Sequence, residues 1–175
     1  MQSIRRTILL STTVTAALAV TVYAQTAGLG GENIKFPADA GKMYATVDRA
    51  DVKQVRELHA NGVAAVAAKA GQPLPNGSVL TMVLFKAKLD AKGDPEKDAG
   101  GRLIKEEMLN TFVMEKQAAF GAGVPADLRN GTWEYQVFTP AKVVNDKANL
   151  KPCYECHRDK AGAGKDFLFS QDKIK

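Results

Sequence analysis

The residues best suited to chemistry lie near the C-terminus, in Cys153-Tyr154-Glu155-Cys156-His157. These two cysteines are the only ones in the chain. C-x-x-C-H is the attachment pattern of c-type haem. Two thiols about one helical turn apart can add to the two haem vinyl groups, and the adjacent histidine is then held under the iron as an axial ligand. Three other chemistries use parts of the pattern. A redox dithiol uses C-x-x-C, but at a strand-to-helix turn early in an α/β domain. A zinc site needs four ligands, or three plus water, and only His59 is left to join Cys153, Cys156 and His157. A disulfide closing the short loop is the third. The histidine after the second cysteine favours one covalent haem c, with His157 on the metal. For the opposite side of the iron the chain offers His59, or the thioether of Met43, Met82, Met108 or Met114. Single histidines and methionines more often fill core.

The N-terminus predicts export, and haem attachment outside the cytoplasm agrees with it. Met1 to Arg6 carries Arg5 and Arg6 and no acid; an uncharged run from Thr7 to Tyr23 follows, then Val22-Tyr23-Ala24 with small residues at the cleavage positions. This is the layout of a secretory signal, cleaved after Ala24, and it implies a periplasmic protein. The alternative is a retained anchor, but the run is at the short limit for a bilayer of about 30 Å. No later stretch is long and apolar enough to span one. Removing 1–24 leaves about 150 residues, the usual size of one domain. The charge is +5 for the whole chain and +3 without Arg5 and Arg6. Lysines are mixed with acids along the chain, so no nucleic-acid footprint is present. Between Lys142 and Lys165, however, six bases face three acids, a local excess that suits an acidic redox partner.

The elements that must position the motif follow from periodicity. Residues 25–47, rich in Gly and Ala from Thr26 to Gly41, read as a flexible lead-in to a single domain over 48–175. A helix is expected from Asp48 or Asp51, with Val52, Val55, Leu58, His59, Val63 and Val66 at helical spacing. Asn61-Gly62 kinks it or divides it, the second part capped by Asn61 and running to about Ala70. Gly71 to Gly77 is a turn. Ser78 to Leu89 is a strand apolar on both faces, covered on one side by the helix and on the other by the cofactor. Asp90 to Gly101 is a solvated loop without EF-hand spacing. Strands follow at Leu109–Lys116 and Thr132–Thr139, the latter with Trp133, Tyr135 and Val137 on one face and Glu134 and Gln136 on the other. A short haem-attachment helix starts at Pro152, and Phe167-Leu168-Phe169 form a last apolar patch. The fold class is α+β: a mainly antiparallel sheet with an N-terminal helical segment and a short C-terminal helix.

From Leu74 onward the chain resembles the cytochrome P-460 family, which includes the beta-type cytochromes c-prime. The matching segments are Leu74-Pro75-Asn76-Gly77-Ser78-Val79, Phe112-Val113-Met114-Glu115-Lys116, Gly131-Thr132-Trp133-Glu134-Tyr135, and Cys153 to His157 with Asp166-Phe167-Leu168-Phe169. The resemblance implies a small monohaem cytochrome, often a homodimer, with one histidine ligand and an open distal side for nitric oxide, carbon monoxide or a nitrogenous substrate. Met82, Phe85 and Arg56 are the candidates for the distal pocket, Arg56 matching an arginine that the resemblance places on the enzymes' first long helix. In the hydroxylamine-oxidising enzymes of the family, a lysine on the strand after the turn is cross-linked to the haem. Aligned on Asn76-Gly77, that position holds Met82. Lys86 shares its strand face but lies roughly 13 Å further along at about 3.3 Å per residue. The expected function is thus a periplasmic monohaem cytochrome that binds small ligands or transfers electrons. The alternatives are a hydroxylamine-oxidising enzyme and a haem-free, disulfide-closed binding domain.

Overall fold

The computed structural model describes residues 29–175; the expected signal and its expected cleavage site lie outside the described residues. Five strands form one sheet in the order β1-β2-β3-β4-β5, every neighbouring pair antiparallel. They are β1 Lys42–Arg49, β2 Gln54–Ala60, β3 Val79–Ala87, β4 Lys105–Lys116 and β5 Trp133–Phe138. Helix α1, Gly62–Lys69, joins β2 to β3, and α2, Lys151–Cys156, carries the cysteines. An all-antiparallel sheet with its two helices outside it gives the expected α+β class. Among the described residues, no helix is long and apolar enough to cross a membrane.

The N-terminal elements correct two expectations. Residues 48–60 are not helical. Ala50–Val52 make one tight turn, Lys53 takes a left-handed conformation at φ 53°, and the chain returns as β2. The helical spacing of Val55, Leu58 and His59 was coincidental: β2 is paired along its length on both sides, and the ladder overrode a weak local preference. The helix does begin after Asn61, as its second part was expected to. The Asn61 side chain accepts from the backbone N–H of Ala64 and of Val79 and donates to the Gly77 carbonyl. One side chain therefore caps α1 and fixes where β3 starts.

The lead-in is built into the fold from Leu29 onward. Leu29 and Ile34 are buried, and β1 already starts at Lys42. The buried Glu134 carboxylate on β5 accepts the backbone N–H of Gly31 and of Gly121, each at 2.8 Å. Gly31 has φ 88°, and a Cβ there would lie 2.3 Å from the Tyr135 carbonyl oxygen, so only glycine allows the segment this close to β5.

Both faces of β3 are covered, and α1 takes part as expected: Ala64, Ala67 and Ala68 share a core cluster with Leu80. Val79 packs beside Ile34, Phe36 and Phe138, and Phe85 beside Val55, Ala87 and Leu103. The larger core lies on the other face, where Trp133, Tyr135 and Met114 meet Leu150, Tyr154 and Leu168 of the C-terminal segment. The two glycine-rich turns of the 90–101 loop are closed by Asp90 and Asp98 accepting backbone N–H groups. Among the described residues, no cluster of three metal-ligating side chains is formed.

Candidate functional site

A cavity of about 600 Å³ lies between the sheet and the C-terminal segment, within the range of small-molecule and cofactor sites. Its sheet wall is apolar: Leu58 of β2, Leu80, Met82 and Leu84 of β3, Phe112 and Met114 of β4. Strand parity puts these on one face, since Met82 pairs with Leu58 on one side and Phe112 on the other. The facing wall brings Cys153, Cys156 and His157 together with Leu168 and Phe169.

Pro152 lies in the first turn of α2, one residue after the helix start at Lys151, where its missing N–H costs nothing. One turn of helix then puts both thiols on the cavity, Cys153 mostly covered and Cys156 exposed. Both are free. Burial pushes the Cys153 thiol up to about 11, with the neighbouring Cys156 adding to it. A redox dithiol needs the opposite shift, because the thiolate is its nucleophile.

His157 follows α2 on a wider helical turn, His157–Ala161. Its Nδ1 donates to the Phe167 carbonyl at 2.7 Å. That fixes the tautomer and leaves the Nε2 lone pair for a metal. The ring lies between Tyr135 and Phe169, with centroids 5.1 and 4.9 Å away. Burial pulls its pKa below the ordinary histidine range, more than the Phe167 bond restores, so the imidazole is held in its neutral, metal-binding form. Tyr135 is held in turn by Asn130, which donates to its hydroxyl at 2.8 Å and to the Tyr154 carbonyl at 3.1 Å. An apolar slot, two thiols one turn apart and an oriented neutral imidazole fit a haem.

Of the candidates for the other side, the fold brings only some to the cavity. Met82 and Met114 line it. Met43 is exposed, Met108 lies beyond the cavity opposite Phe85, and His59 lies on the other sheet face, its Nδ1 3.2 Å from the Gly41 carbonyl oxygen. Arg56 lines the cavity, but from strand β2, not from a helix. Its Nε is buried without a hydrogen-bond partner, and burial pulls its pKa down. Phe85 does not reach the cavity. It is one residue out of phase with Leu84, so it points to the opposite face, where the Lys105 ammonium sits 4.8 Å above its ring. Lys86 is exposed and 3.7 Å from Glu107; among the described residues no lysine lines the cavity.

Sequence reasoning did not find Tyr135, Phe169 or the Phe167 carbonyl as partners of His157, nor the contact of Tyr44 with Ser170 at 2.9 Å that links β1 to the C-terminal segment. The apolar run Phe167-Leu168-Phe169 was the one visible sign. A carbonyl acceptor leaves no mark in a sequence.

A family model described as cytochrome P460 matches residues 38–170. No curated protein matches the chain.

Proposed function

The chain belongs to the cytochrome P460 family and is accordingly a haem-binding cytochrome; from that premise we propose that it is an exported, monohaem c-type cytochrome whose distal side receives a small ligand. In this reading Cys153 and Cys156 hold one haem through thioether bonds and His157 is the proximal ligand. A bound haem would supply an iron able to take nitric oxide or carbon monoxide, or to pass an electron. The observation that carries the reading is His157 itself. Its Nδ1 is committed to Phe167, and it borders an apolar cavity of about 600 Å³ together with both thiols.

The chain's own residues then divide the work. Tyr135 and Phe169 keep the imidazole from turning. Leu58, Leu80 and Phe112 exclude water from the sheet side. Met82 would line the space left for the ligand and not bind the iron, so a five-coordinate iron is expected. Arg56 brings to this cavity a buried Nε–H without a partner, suited to a ligand that carries a hydrogen-bond acceptor. The N-terminal signal pattern supports a periplasmic location.

Hydroxylamine oxidation, the enzymatic alternative, is less well supported. The resemblance ties it to a cross-linking lysine, and Met82 occupies that position on the cavity wall. The haem-free, disulfide-closed reading falls with family membership.

The test is the optical spectrum of protein made with a haem-ligation system, in oxidised, reduced and carbon monoxide-treated forms. Haem that stays with the polypeptide on a denaturing gel, a five-coordinate reduced spectrum and ready carbon monoxide binding are expected. A strongly red-shifted cross-link band would sink the ligand-binding reading in favour of the enzyme, and apoprotein mass would sink covalent attachment.

A further inference from the structure

The Phe167 carbonyl that orients His157 stands on unusual backbone. Asp166 and Phe167 both lie in the left-handed region, at φ 48° and 59°, although neither is glycine. Such residues persist only where their surroundings hold them. Besides the packing of Phe167 and Leu168 on the core, three hydrogen bonds tie Asp166 and Phe167 down. The N–H of Phe167 donates to the Gly162 carbonyl at 2.9 Å and that of Asp166 to the Ala163 carbonyl at 3.0 Å. Both are local and travel with the segment. The third comes from elsewhere: Lys116 Nζ donates to Asp166 Oδ2 at 2.7 Å, across 50 residues of sequence.

Lys116 is well placed to act as the fixed end. It is the last residue of β4, its backbone N–H donates to the Ser78 carbonyl, and its own carbonyl accepts from Gly77. Its ammonium lies 5.4 Å from the centre of the fully buried Trp133 ring. The side chains of Lys116 and Asp166 are 17% and 26% exposed, so water competes weakly for the pair.

We infer that Lys116 is a positioning residue for His157: through Asp166 it fixes the Phe167 carbonyl, and so sets the strength with which Nε2 donates to the haem iron. The chain of contacts is Lys116 Nζ to Asp166 carboxylate, then Phe167 carbonyl to His157 Nδ1–H, with 2.7 Å at each hydrogen bond. A hydrogen bond at the far nitrogen makes a ligating imidazole a stronger donor and favours the oxidised metal. This inference rests on the haem reading proposed above, and its test separates the two.

The experiment uses the holoprotein with Lys116→Met, Lys116→Arg and Asp166→Asn. Asparagine tolerates left-handed backbone, so Asp166→Asn weakens the ion pair without straining the turn and serves if Lys116→Met fails to fold. Haem retention on a denaturing gel, the reduction potential and the iron–histidine stretching frequency of the reduced protein are measured. Lys116→Met and Asp166→Asn should keep the haem, lower the stretching frequency and raise the potential. The expected rise is about tenfold in the one-electron equilibrium, about 59 mV. Lys116→Arg should stay close to the wild type. Retained haem with an unmoved potential and stretch, whatever happens to the melting temperature, would overturn the inference alone. So would an arginine variant shifted as far as the methionine one. A wild type without attached haem would overturn the parent reading and this inference with it.

Discussion

The two walls of the cavity are built on different principles. The C-terminal wall is fastened: His157 is hydrogen-bonded through Nδ1, flanked by two aromatic rings, and carried by a segment tied to β4 through Lys116 and Asp166. The sheet wall is smooth. Leu58, Leu80, Met82, Leu84 and Phe112 offer shape and no hydrogen bonds, and Arg56 keeps its Nε unused. A fastened wall holds one group in one geometry, at the cost of ordering many side chains. A smooth wall leaves room beside that group, because apolar side chains impose no directional demand. The difference is what a site needs if it is to grip a haem on one side and admit a small ligand on the other.

The comparison breaks most plainly at the fastened wall. In Cys153→Ala/Cys156→Ala, haem should no longer travel with the chain on a denaturing gel, a complete loss read by haem staining. His157→Ala should keep attachment and lose the proximal ligand, seen as a changed reduced spectrum. If His157→Ala left that spectrum untouched, the assignment of the walls would be wrong.

Tyr135 tests how much of the fastening is ordinary core. Its ring is buried against His157 and Tyr154. Tyr135→Ala should cost about 3–5 kcal/mol, as other buried aromatic truncations do, and Tyr135→Phe about 1 kcal/mol for the lost Asn130 bond. Chemical denaturation gives both values. Equal costs would mean that the ring contributes little.

At the smooth wall the effects should be smaller and confined to the ligand. Met82→Ala should change carbon monoxide affinity several-fold without changing the coordination number, while Phe85→Leu, three residues along the same strand, should leave affinity unaltered because its side chain faces the other way. A six-coordinate reduced protein that became five-coordinate in Met82→Ala would make methionine a ligand and the wall no longer passive.

The smallest effect concerns a partner. Lys151 pairs with Glu155 and Arg158 with Asp159, so two of the six bases near α2 are already engaged locally. An acidic redox partner should still exchange electrons faster at low ionic strength, by a few-fold at most. Stopped-flow rates that do not vary with salt would remove the partner from the proposal.

The sequence by itself determined the chemistry that depends on residue type and short spacing. Cys153, Cys156 and His157 are adjacent in the chain, and one turn of helix turns that adjacency into geometry. The alternation in β5 and the Asn61 cap were legible for the same reason, since each is a local rule about the next few residues. What only the tertiary structure decided was everything that depended on pairing across the chain. Residues 54–60 satisfied a helical pattern and became β2, because two neighbouring strands supplied hydrogen bonds that an isolated segment cannot provide. Strand alternation alone put Met82 and Phe85 on opposite faces; which of those faces borders the cavity was decided by the C-terminal segment packing on one of them. His157's acceptor is a backbone carbonyl, a group every residue carries. Only the left-handed turn at Asp166 and Phe167, held from β4 by Lys116, selected which carbonyl it would be.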